Sequence, residues 1–327
     1  MNLLKKKDIS PYLTNGIYSY NEDFTQLSKI NIEYSHFKNV VVKKNFKYYL
    51  RLLLRKIIHM RIHSNLNLFD GDTVLIPSSK YGLKFFSSRK VLTKFKFNSD
   101  FNLYIDNKDK IKKIYKTPNT IVVGDNYIIE EKIESKNYEK SQILIQLMKT
   151  FSRHINESSI NIENFNNRKR RFIDKYKWFY NKINIDDDYK CCIQHGDLWE
   201  SNVIFDGKNI FVIDYENVEM RFFLYDFFTY LHNEALIFNN YELLYLYFDG
   251  FFDNVLQDLF ISLGLNYYDN TKIYYYNIFL NEIINNKFSK YNNKTFFNEM
   301  NRLNEIYSNV EKYEKGEQKW KKIKLIL

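Results

Sequence analysis

The stretch CCIQHGDLWESNVIFDGKNIFVIDYENVEMRFFLYDF, residues 191–227, decides how this chain is read. An apolar run ends in His195-Gly196-Asp197, Asn202 follows five residues after that aspartate, and Asp214 closes a second apolar run. A packed core accounts for the apolar letters and has no use for the polar ones. The residues KCCIQ predict a short strand running directly into the His-Gly-Asp turn. NVIF, the Asp206-Gly207 turn and NIFVID predict a hairpin, because Asp-Gly adopts the positive φ angles a tight turn needs. The hairpin returns Asp214 to the end where Asp197 and Asn202 stand.

Three oxygen-bearing side chains therefore converge on one loop and hairpin. Asn202 and Asp214 are hard oxygen ligands suited to Mg²⁺, which takes few protein ligands beside phosphate oxygens and water. Asp197 is left to accept a proton from an attacking hydroxyl and to orient it. Phosphoryl transfer asks for little more: a cation to offset phosphate charge, and a carboxylate that holds the nucleophile in line.

HGDLWESN followed by FVIDYE resembles the Brenner-type motif of the aminoglycoside phosphotransferase and choline kinase superfamily, whose members share the protein-kinase-like fold. The resemblance covers residues 191–227. It implies that Asp197 is the catalytic base, that Asn202 and Asp214 are Mg²⁺ ligands, and that His195 belongs to the catalytic loop as a structural member. It matches Asp226, in LYDFF, to the aspartate that braces that loop, and places Glu216 near the metal. ATP and Mg²⁺ are the cofactors that follow.

The same fold asks for a strand-rich small lobe upstream, and the chain offers one. Strand candidates at 72–76, 82–87 and 90–97 precede a helix before Pro118, and 119–123 and 127–132 follow it. Lys94, in VLTK, falls where the family's phosphate-binding lysine falls, with Lys96 on the same strand face as its rival. The loop IPSSKYG has only Gly82, so Ser78, Ser79 and backbone N–H groups are left to contact phosphate. Backbone groups of Glu130, Glu131 and Lys132 are the candidates for hydrogen bonds to adenine. No glutamate in the segment before Pro118 is there to pair with the lysine, which leaves Asp106 or Asp109.

Beyond Glu134 the pattern turns helical, in NYEKSQILIQLMKTFSRHI, in RRFIDKYKWFYNKI and in several segments after 226. The expected class is therefore α+β, a bilobal kinase-like fold with a β-rich small lobe over 71–134 and a helical large lobe over 135–327. Residues 1–70 form a basic extension. Within it KNFKYYLRLLLRKIIHMRIHS, residues 44–64, reads as an amphipathic helix, with Leu50, Leu53, Leu54, Ile57 and Ile58 at helical spacing. Residues 1–65 carry twelve Lys and Arg against four Asp and Glu, which places eight of the ten net positive charges there. Such a helix either packs on its own domain or turns Arg51, Arg55 and Lys56 toward an anionic glycan or membrane surface. Confinement of the charge to one segment, without a recognition motif, argues against nucleic acid.

With 45% hydrophobic and 18% aromatic residues in 327, the chain has ample core and is not a disordered one. The two cysteines, Cys191 and Cys192, are adjacent and point to opposite faces of a strand, so they read as reduced core thiols. No stretch approaches ~18 uncharged apolar residues, and the start MNLLKKKDIS lacks an apolar signal core. A cytoplasmic protein, peripheral at the inner face of the membrane, is the expectation.

Substrate is where the sequence runs thin. The basic extension favours an anionic or membrane-proximal acceptor, so the expected activity is a kinase acting on a hydroxyl of a sugar or related small molecule, such as a cell-surface glycan component. The alternatives are an aminoglycoside- or choline-type kinase and, from another class, a catalytically silent kinase-like binding module. Filled base and metal positions favour catalysis, whereas the glycine-poor phosphate loop favours silence. Glu234, Glu242, Asp249 and Asp253 read as solvated helix faces, and Tyr230 and His232 as core.

Overall fold

The computed structural model describes residues 12–13, 16–20, 26–29, 59–62, 69–75, 82–157, 163–165, 189–267, 272–286 and 293–314. They fall in two compact units, Met1–Lys108 with Thr117–Ser135, and Asp109–Lys116 with Lys136–Leu327.

The first unit is built on eight short strands: β1 Gly16–Tyr20, β2 Gln26–Lys29, β3 His59–Ile62, β4 Thr73–Leu75, β5 Leu83–Phe86, β6 Lys90–Lys94, β7 Thr120–Val123 and β8 Tyr127–Glu131. They form one sheet in the order β3-β1-β2-β4-β5-β6-β8-β7, and every pairing is antiparallel. Register assigns the faces, because directly opposed residues share a side. Phe85, Leu92 and Ile129 are opposed in turn, as are Leu83, Lys94 and Tyr127. That face packs with Tyr12, Leu13, Tyr18, Leu27, Phe69 and Val74 into one hydrophobic core. Fully burying one such Leu or Phe contributes about 1.5–3 kcal/mol. The opposite face carries Thr93, Ile128 and Glu130, and on it lies the helix α1, Asn98–Lys112, from which Tyr104 and Lys108 reach Glu130.

The order of strands and helix expected between 72 and 132 is the order observed. The expected helix over 44–64 is not. Of that stretch the structure describes His59–Ile62, and these four residues form β3, paired with β1 from Gly16↔Ile62 to Ser19↔His59; the rest lies outside the described residues. HMRI alternates polar and apolar with a period of two, and the open edge of β1 offers backbone partners that a helix end lacks. In its described part the extension is thus an addition to the sheet rather than helical.

The second unit holds β9 Glu163–Phe165, β10 Tyr189–Gln194, β11 Val203–Phe205, β12 Ile210–Val212 and β13 Glu219–Phe222. Its helices are α2 Lys140–Glu157, α3 Tyr225–Phe238, α4 Glu242–Phe248, α5 Asp253–Ser262, α6 Lys272–Asn286 and α7 Asn293–Glu314. In α2, Ile143, Leu144, Leu147, Met148, Phe151 and Ile155 recur at helical spacing, and all are buried. Helix α3 is apolar nearly all round, and accordingly every residue from Tyr225 to Ala235 is buried. Strand β10 lies between β13 and β9, and the hairpin β11–β12 pairs Val203 with Val212 around the Asp206-Gly207 turn. Residues 170–183, expected as helix, lie outside the described residues. A strand-rich unit and a mainly helical one make the fold α+β, as expected. Among the described residues no helix is long and apolar enough to cross a membrane.

Candidate active site

Strand β10 delivers the chain to His195-Gly196-Asp197, and a buried carboxylate fixes the turn. Asp226, in the first turn of α3, accepts hydrogen bonds from the amides of His195 (2.6 Å) and Gly196 (2.8 Å). The Asp226 amide in turn donates to Gln194 Oε1 at 3.1 Å, so strand end and helix start hold each other. Burial raises the Asp226 carboxyl above its usual range, and the nearby His195 with these two amides pulls the other way. Gly196 is required: its φ is +80°, and a Cβ there would lie 2.1 Å from the carbonyl oxygen of Asn217.

His195 is fully buried, and its Nε2 lies 2.9 Å from the carbonyl oxygen of Ile213. The ring therefore ties the loop to the residue before Asp214 and does not face a substrate. Expected on sequence as a structural member of the catalytic loop, it is by position a tether. Asn202 ends a short 3₁₀ turn, Glu200–Asn202, and its Nδ2 donates to the carbonyl oxygen of Asp197 at 2.8 Å and approaches Asp197 Oδ2 at 3.4 Å. With the amide nitrogen so committed, Oδ1 is the atom left for a cation.

The hairpin brings Asp214 back as its spacing suggests. The Ile213 amide donates to Asn202 O at 3.0 Å, and Tyr215 OH donates to Val212 O at 2.8 Å, so both neighbours of Asp214 are anchored. Asp214 itself has φ +71°, in the left-handed region that aspartate tolerates better than most residues. Glu216 is half-buried beyond it.

Among the described residues no three His, Cys, Asp or Glu side chains form a protein-only metal cage. One carboxylate and one amide oxygen, from Asp214 and Asn202, would instead suit a cation that arrives with phosphate, which is how Mg²⁺ is commonly held. The residues present fit that ion.

Several charged groups escaped the sequence reading. Lys140 Nζ lies 2.7 Å from Glu200 and 2.6 Å from Glu234, a pair of acids around one lysine. Burial works against its charge, but the two carboxylates outweigh that and raise its pKa. Glu234, expected on a solvated face, is buried, and the signal was present: an acid within an apolar helix demands a partner. Asp253 is likewise paired, with Lys272 at 2.9 Å, whereas Glu242 and Asp249 are exposed. Burial, with Glu200 beside it, pushes the Tyr138 phenol up to about 12. Tyr230 and His232 are core, at 0% exposure. Arg221 on β13 is buried over the Tyr225 ring, 4.4 Å from its centroid, and paired with Glu219. A cavity of about 200 Å³ opens beside Lys140, lined by Glu139, Ser141, Asn240, Glu242 and Phe251 among others.

The nucleotide candidates lie on the first unit. Lys94 Nζ is 2.7 Å from Tyr12 OH, and Lys96, beyond the end of β6, is exposed with its ammonium 5.1 Å from the Phe97 ring centroid. Asp106 and Asp109 are exposed on α1 and pair with neither lysine. The helix supplies a lysine instead and the sheet supplies the acid: Lys108 is ion-paired with Glu130 and donates to Thr120 Oγ1 (2.7 Å) and Pro118 O (2.9 Å). The Glu130 side chain is thereby engaged. The amides of Glu131 and Lys132 donate to Asn119 O (3.0 Å) and Arg89 O (2.8 Å), because pairing continues through 132, so these two are not free as adenine donors. Burial lowers the Lys132 ammonium against the pull of Asp72 and Glu134. Ser78 and Ser79 lie outside the described residues.

No protein-family profile and no curated protein matches the sequence. Solved structures resemble the chain at low identity. A choline/ethanolamine kinase family protein from Mesorhizobium loti is 10% identical, over 69% of this chain and 84% of its own, with a TM-score of 0.40. An amicoumacin kinase solved with AMP-PNP, Ca²⁺ and Ami is 11% identical, over 73% and 88%, at 0.40. A macrolide 2′-phosphotransferase from Brachybacterium faecium is 9% identical, over 63% and 81%, at 0.41. The chain is similar to these proteins at that distant level, and its chemistry is to be read from its own loop and hairpin.

Proposed function

We propose that this chain is an ATP- and Mg²⁺-dependent phosphotransferase that moves the γ-phosphoryl group of ATP to a hydroxyl of a small molecule. The clamp at Asp226 carries the reading: two consecutive amides held by one buried carboxylate fix the backbone from which Asp197 projects. A loop that served only to connect strands has no use for a buried charge held at that cost. In the reaction Asp197 accepts the hydroxyl proton as the acceptor oxygen bonds to the γ-phosphorus; the bond to the bridging oxygen breaks, and ADP leaves with its electron pair. Asn202 Oδ1 and Asp214 hold Mg²⁺, which supplies charge compensation for the phosphates. His195 and Asp226 keep base and ligands in register, and Lys94 contacts phosphate.

The acceptor we favour is a sugar or a related polyol, including a saccharide of a cell-surface glycan. The cavity at Lys140 supports it, since carboxylates, an amide, a hydroxyl and the ring of Phe251 suit a polar molecule with one apolar face. Its acids equally suit an amino-bearing acceptor, the second reading. The basic segment 44–64 is proposed to meet an anionic glycan or the inner membrane surface, with the protein in the cytoplasm.

The test is a screen of sugars, amino alcohols and aminoglycosides that follows ADP release, with Asp214→Ala as control. Acceptor-dependent, Mg²⁺-dependent release that the control lacks is the expected result. Thermal stabilisation by Mg·ATP without release on any acceptor would leave a binding module, and no stabilisation at all would remove the nucleotide reading.

A further inference from the structure

Among the described residues no acid holds Lys94. It is the last residue of β6, opposed to Leu83 and Tyr127, and so stands on the sheet face of Phe85 and Leu92. Helix α1 lies on the other face, where Lys108 and Glu130 satisfy each other. Among the described residues the group on the Lys94 ammonium is the phenol of Tyr12: the oxygen is 2.7 Å from Nζ and the ring centroid 4.5 Å. Tyr12 is itself fixed. It is 8% exposed, and its ring centroid is 4.9 Å from that of Phe85. Its carbonyl oxygen accepts from the Gly71 amide at 3.1 Å, an approach so close that a Cβ on Gly71 would lie 2.5 Å from that oxygen.

We propose that Tyr12 is the positioning residue for Lys94, restraining it by a neutral hydrogen bond and a ring face instead of an ion pair. The proposal rests on Lys94 as the phosphate contact. A lysine on its four-carbon stem loses much rotamer freedom when it must hold one geometry, and a fixed partner bears that loss before the nucleotide arrives. A carboxylate partner would cancel the charge an incoming phosphate requires. A phenol accepts one of the three N–H bonds and leaves the full positive charge with two donors. The residues around Tyr12 thus belong to the nucleotide-binding apparatus, although they precede β4 by some sixty residues of sequence, on the order of the gap from 12 to 73.

Tyr12→Phe tests this, since it keeps the ring and its packing and removes the acceptor oxygen. Its melting temperature is expected to stay within about 3 °C of wild type, while Kd and KM for Mg·ATP rise about tenfold, the loss of a hydrogen bond to a charged group. KM for the acceptor should not move. Lys94→Met should weaken Mg·ATP binding further, and adding Tyr12→Phe to it should change nothing, which a merely structural tyrosine would not do. If Tyr12→Phe binds Mg·ATP like wild type while Lys94→Met does not, the proposal falls and the phosphate lysine stands. If the Tyr12→Phe effect persists in the Lys94→Met background, Tyr12 acts by another route and the proposal falls. If Lys94→Met binds normally, the reading of Lys94 falls and takes this one with it.

Discussion

Asp197 is held in place by its neighbours: its backbone carbonyl accepts from Asn202, and the two amides before it rest on Asp226. Asp197→Asn keeps size and loop geometry while removing the proton acceptor. Turnover should fall by about 10²-fold or more, with melting temperature and Mg·ATP affinity near wild type. Turnover within a few-fold of wild type would take Asp197 out of the role of base. The residue scale was also where sequence served best. His195, Gly196, Asn202, Asp214 and Asp226 are polar or glycine letters among apolar ones, each legible because the core gives it no reason to be there. The Tyr12–Lys94 contact had no such signal, because a tyrosine early in an aromatic-rich chain looks like any other.

Among elements, α1 and the strands it covers carry the sharpest energetic question. Lys108 and Glu130 have side chains only 6% and 9% exposed, so each charge depends chiefly on the other for compensation. Lys108→Met alone should cost about 3–5 kcal/mol, since it strands a buried carboxylate. The double variant Lys108→Met with Glu130→Leu should recover most of that loss. Chemical denaturation of the three proteins decides it, and single and double variants of equal stability would mean that the pair carries no desolvation penalty. This inversion, lysine on the helix and acid on the strand, was illegible for a physical reason. Strand and helix positions follow from local periodicity, whereas the choice of partner across 22 residues depends on which faces meet. The hairpin was legible for the converse reason, as Asp206-Gly207 sets its own turn. The stretch 59–62 misled because its period of two was hidden inside a longer run with helical spacing, and the strand that recruits it, β1, lies far back in the sequence, with Ser19 opposite His59 and Gly16 opposite Ile62.

At the scale of the whole molecule, charge is the uneven quantity. Eight of the ten net positive charges fall in residues 1–65. If that segment meets an anionic surface, the attraction must weaken with salt, as the Debye length contracts from about 10 Å at 0.1 M to about 3 Å at 1 M. Replacing Arg51, Arg55 and Lys56 by Gln should therefore weaken binding to vesicles containing phosphatidylserine and flatten its salt dependence, with Mg·ATP affinity unchanged. Identical vesicle binding and salt response in wild type and variant would leave these charges without a partner surface.

The sheet, finally, stops at β7, which pairs on one side only among the described residues. Ile121, Val122 and Val123 there are 47%, 40% and 57% exposed. An open apolar edge is a template for another strand, so concentration is what this protein should tolerate least. Light scattering against concentration should show self-association that Val123→Lys delays, because a charge at a sheet edge discourages pairing while leaving the opposite edge of the strand in place. The practical consequence is that purification yield and storage life would be governed by the four residues of β7.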